Sequence, residues 1–129
     1  MRRFILVLMS ALALGGPPPS LADTASDEVI SMATEELRQR DGREPTDAEL
    51  IGFLNVVTVA LDGKGKYALA ERVARAALAR GERVLGTEHP ASLESLNNLA
   101  SLYQSQGRVG EAEPLMRRVH NAALEAPSR

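Results

Sequence analysis

The side chains that could carry out chemistry are few: this 129-residue chain has two histidines, no cysteine and no tryptophan. His89 and His120 lie on different stretches, and neither H-x-x-x-H nor H-E-x-x-H occurs, so no metal-binding spacing is present. His89 precedes Pro90, where a turn or capping role is expected. His120 flanks an apolar stripe, where a partly buried structural imidazole is expected. Gly63-Lys64-Gly65 superficially has the look of a phosphate loop, but no strand precedes it and no Ser or Thr follows Lys64 or Lys66. It reads as a turn. Glu111 and Glu113 point to different faces of a helix and do not form a carboxylate pair. No catalytic, metal-binding or cofactor-binding residue is assigned, and the chain is not expected to be an enzyme.

Polar side chains also recur at helical spacing, and by themselves they read either as a solvated helix face or as a row able to bind. Asn97, Ser101 and Gln104 are spaced i, i+4, i+7, which places all three on one helix face. An asparagine side chain both donates and accepts, so such a face can hold a peptide backbone without reading its sequence.

The elements that position this row lie in residues 85–119. Leu96, Leu99, Ala100 and Tyr103 share one helix face, and after Gly107 a second stripe follows as Val109, Ala112, Met116, Val119 and Ala123. Two amphipathic helices joined by a short turn form an antiparallel hairpin, which cannot bury its apolar faces alone. A shift of 42 residues superposes an earlier copy: Leu54 on Leu96, Asn55 on Asn97, Gly65 on Gly107, Ala70 on Ala112, Glu71 on Glu113 and Arg75 on Arg117. The earlier second stripe is Tyr67, Ala70, Ala74, Ala77 and Gly81. Self-similarity at a fixed period marks a repeat array.

The stretch LGTEHPASLESLNNLASLYQSQGRVGEAEPL resembles the tetratricopeptide repeat, most closely the long-period form found in kinesin light chains and many bacterial proteins. Leu99, Ala100, Tyr103, Gly107, Ala112 and Met116 stand on the usual signature positions. The first copy matches less well, with Val57, Thr58 and Leu61 at three of them. The resemblance covers about residues 46–126 and implies an all-α fold: hairpins stacked as a short right-handed solenoid. It also implies a concave groove lined by the first helix of each hairpin, holding a protein or peptide. By position the groove residues are Asn55, Val59 and Asp62 in the first repeat and Glu94, Asn97, Asn98, Ser101 and Gln104 in the second. None of the eight is basic, unlike the groove of relatives that clamp a C-terminal carboxylate.

The remaining segments frame these repeats. Arg2 and Arg3 precede an apolar run over residues 4–14, then Gly15, Gly16, three prolines and Ser20-Leu21-Ala22, the layout of a secretory signal peptide over residues 1–22. The run is short of the about 20 residues of a membrane span. Residues 23–44 read as an N-terminal capping helix, with Ser26 as its cap, Val29, Ile30, Ala33 and Leu37 as its apolar stripe and Gly42 at its end. Residues 45–86 form the first, degenerate repeat, opened by a Thr46–Glu49 capping box. Residues 87–126 form the second repeat, opened by His89-Pro90, and residues 127–129 a tail. Gly81, inside a helix, implies close helix approach. Pro114 lies about one turn into the last helix, where its missing N–H is expected to do little harm.

The formal charge is −2, and without Arg2 and Arg3 the 17 acidic residues face only 13 basic ones. That balance speaks against nucleic acid and against an electrostatic hold on anionic lipid. The expected protein is therefore an exported, periplasmic or extracellular scaffold with no cofactor, no nucleic-acid partner and no membrane contact after signal cleavage. The alternative is a self-assembling structural module, or a truncated relative of a longer array, that uses its C-terminal helix; two repeats are fewer than the about three an independent array needs.

Overall fold

The computed structural model describes residues 2–13 and 22–125. Among these residues there are six helices and no strand: α1 (Arg2–Ala13), α2 (Ala22–Asp41), α3 (Asp47–Gly63), α4 (Tyr67–Val84), α5 (Pro90–Ser105) and α6 (Val109–Glu125). The expected cleavage-site stretch before Ala22 and the tail after Glu125 lie outside the described residues. Helices α3 and α4 form one hairpin, α5 and α6 the next, and α5 packs against both α3 and α4. This is an all-α helical-repeat solenoid.

Local chemistry explains the turns. Gly65 and Gly107, 42 residues apart, both adopt φ +73°, a left-handed conformation that a side chain would strain. The equal conformation places both interhelix turns in the same register. Thr46 Oγ1 accepts from the Glu49 N–H at 3.1 Å while the Thr46 N–H donates to Glu49 at 3.1 Å, closing the expected capping box. Arg43 lies 2.7 Å from the same carboxylate, and with the Thr46 contacts it holds the Glu49 carboxyl down at about 2. The cap therefore keeps its charged form through mildly acidic pH. At α5 the His89 side chain accepts from the Ala91 N–H at 3.1 Å and Pro90 occupies the first turn, so His89 is a cap.

The core follows the apolar stripes of α2 to α5. Val29, Ala33 and Leu37 of α2 are buried, as are Leu50, Ile51, Leu54, Val57 and Leu61 of α3. Helix α4 contributes a small-residue face, Ala70, Ala74, Ala77 and Gly81, which lets α5 come close. A Cβ on Gly81 would lie 2.7 Å from Ser92 Oγ, so this glycine is a contact between repeats. Phe4 and Ile5 of α1 are also buried, and the Phe4 ring meets Phe53 edge-on at 5.1 Å. Among the described residues no helix is long and apolar enough to cross a membrane.

Three expectations need correction. Helix α2 begins at Ala22, so Ser26 lies inside it and is not its cap. His120 is exposed, because the outer side of α6 meets nothing among the described residues. Pro114 is the sixth residue of α6, and Gly110 one turn before it is exposed. The apolar stripe of α6 is also mostly uncovered: Ala112 is buried, Val119 is half-buried, and Val109, Met116 and Ala123 are exposed. The matching residues of α4 are buried from Ala70 onward because α5 lies on them.

Candidate functional site

Two surfaces emerge once the seam between the repeats is traced. The seam is a set of polar grips on an alanine-rich floor. Asn55 is 1% exposed; its Nδ2 donates to the Ala91 carbonyl at 3.2 Å and its Oδ1 accepts from Ser95 Oγ at 2.7 Å. On the other side of the seam, Arg75 donates to the Tyr103 hydroxyl at 2.7 Å and pairs with Glu71 at 2.8 Å. Arg108 also pairs with Glu71 at 2.8 Å and stacks its guanidinium 4.3 Å from the centre of the Tyr103 ring. Burial pushes the Tyr103 phenol up, and the neighbouring Arg75 opposes that, so the group stays a neutral hydroxyl in ordinary conditions. Glu71 and Arg75 were visible in the sequence as residues kept at the repeat period; their contact with Tyr103 required the packed hairpins.

Asn55 is therefore a seam residue, and its burial removes it from any accessible groove. Its hydrogen bonds fix α3 beside α5, and the exposed rows of those two helices then run side by side. On α3 the row is Gly52, Val56, Val59 and Gly63, with Val56 54% and Val59 58% exposed. On α5 the residues one repeat later are Glu94, Asn98, Ser101 and Ser105. Glu94, Ser101 and Ser105 are exposed, and Asn98 is half-buried, its Nδ2 buried without a hydrogen-bond partner among the described residues. Asp62 is half-buried. Asn97 and Gln104 are exposed, and Asn97 occupies in the second repeat the position that Asn55 holds in the first, with nothing over it among the described residues.

Val56 was missed from sequence. Its signal was its place outside the buried set Leu54, Val57, Thr58 and Leu61, on the same row as Val59. The resulting face is apolar along α3 at Val56 and Val59 and polar along α5. A separate open cleft of about 640 Å³ lies between α4 and α6, lined by Arg75, Leu78, Tyr103, Leu115 and Arg118 among others. Its Arg75 and Arg118 are engaged in pairs with Glu71 and Glu82. Among the described residues no group of His, Cys, Asp or Glu is placed to hold a metal ion.

Stacked antiparallel helical hairpins with a glycine turn at a fixed period define a helical-repeat scaffold. The tetratricopeptide repeat family model matches residues 53–125, and the chain belongs to that family. Its repeats generally mediate contacts between proteins, and the fold is in general a non-catalytic scaffold. A comparison with curated proteins found no match.

Proposed function

We propose that this chain is an exported, non-catalytic scaffold of the long-period tetratricopeptide type, holding a protein or peptide segment across α3 and α5. The observation that carries the reading is the exposed pair Val56 and Val59 beside the polar row Glu94, Asn98 and Ser101. Valines so exposed on an inner helix gain free energy when a partner covers them, about 25 cal/mol per Å² of apolar area. Asn98 and Ser101 then supply donors and acceptors for the partner's backbone or polar face. Asn97 and Gln104 flank this face and contribute at its edge.

Val56→Asp/Val59→Asp is the direct test, because both side chains are exposed and their replacement leaves the core intact. Circular dichroism and thermal melting should stay close to the parent, while a partner recovered with the parent protein should bind the variant at least tenfold more weakly. Equal binding by the variant, with its fold retained, would remove the groove reading.

Export rests on the order of Arg2 and Arg3, the apolar run, and Ser20-Leu21-Ala22. Cleavage after Ala22 would carry α1 away and uncover Phe53, which Phe4 otherwise covers. Intact-mass measurement of the protein from its native host should show a chain beginning at Asp23. A chain retaining Arg2 and Arg3 in the membrane fraction would overturn the assignment.

A further inference from the structure

The end face of the second hairpin carries the chemistry of the seam, but with nothing over it among the described residues. Asn55, Glu71, Ala74 and Arg75 hold α5 in the first repeat; their counterparts one period later are Asn97, Glu113, Met116 and Arg117. Glu113 and Arg117 pair with each other at 3.1 Å, repeating the Glu71–Arg75 pair, yet their side chains are 65% and 67% exposed. Met116 between them is 43% exposed, and Val109 and Leu124 extend the apolar surface along α6.

We propose that this face joins two copies of the chain, with α6 of one lying antiparallel on α6 of the other about a two-fold axis. The order of charges along the outer side of α6 selects this occupant. Glu113 comes before Met116, and Arg117 comes after it. Turning an identical helix end for end therefore sets Glu113 of one copy against Arg117 of the other, twice, with the Met116 side chains between. A face with one sign of charge would need an oppositely charged partner; this one complements itself, as an isologous contact must. Glu113 and Arg117 pair within one copy, and the two-fold contact exchanges those two exposed pairs for the same two pairs between copies; Arg108 keeps its pairs with Glu111 and Glu71, and Arg118 its pair with Glu82. This contact is separate from the groove on α3 and α5, so either can fail without the other.

Sedimentation of the full chain across a concentration series, with the variants Glu113→Arg and Arg117→Glu, tests the proposal. The parent protein should dimerise reversibly. Each single variant sets like charges together at both contacts and should weaken the dimer at least tenfold, with helix content unchanged. The double variant should recover dimerisation. An equimolar mixture of the two single variants should also recover it, because a mixed pair again sets Arg against Glu at both contacts. A parent protein that stays monomeric at its highest soluble concentration would overturn the proposal and leave this face to a repeat of another chain. Association that persists equally in all variants would overturn it as well, and would place the contact elsewhere, such as at exposed Leu6 and Val7 of α1.

Discussion

Leu102→Ala should lower the stability of the chain by about 2–5 kcal/mol, the usual range for truncating a fully buried leucine. Leu102 is among the largest side chains with almost no exposure, and it packs in the single core that α3, α4 and α5 share. The counterpart one period earlier is Ala60, which is only partly buried, so the leucine fills space specific to the second repeat. Total stability of a small domain is about 5–15 kcal/mol, so this loss should move a urea midpoint far. Val109→Ala on exposed α6 is the matched control and should change stability by no more than about 0.5 kcal/mol. If Leu102→Ala melted like the parent, α5 would not be packed in the register described.

Asn55→Ala and Asn97→Ala should behave oppositely although the two residues occupy one repeat position. Asn55 is buried and bridges Ala91 and Ser95; its loss removes both bonds and opens a gap in the seam, costing about 1–3 kcal/mol. Asn97 is exposed, so its replacement should alter stability by no more than about 0.5 kcal/mol. Chemical denaturation of both variants reads the difference directly. Equal effects would mean that the seam does not depend on Asn55, and the equivalence between seam and end face would lose its basis.

These two results bear on how the surfaces divide. The proposed binding face is a property of α3 and α5 side by side, and Asn55 sets their register. The end face is a property of α5 and α6 together, and it is exposed because no further hairpin lies over it among the described residues. A partner held in the groove therefore depends on Asn55 only through the fold. Binding lost in Asn55→Ala would follow the loss of structure and would not mark Asn55 as a contact.

Much of the fold was legible in the residue pattern because it depends on local rules. Apolar spacing gave the helices, Gly65 and Gly107 the turns between them, Thr46 and Glu49 the start of α3, and His89-Pro90 the start of α5. Even the close approach at Gly81 could be inferred from the small residues that recur there. The exposed face was only partly legible. Period alone cannot tell a position that faces the next hairpin from one that faces solvent, since both lie on the first helix at nearly the same angle. Asn55 and Asn97 are identical in sequence terms; one is buried because α5 follows it, and the other is exposed. The same reason uncovers Met116 and Ala123 while Ala74 and Gly81 are buried. Burial in a stacked array is set by the neighbour rather than by the residue, and only the packed tertiary structure supplies the neighbour.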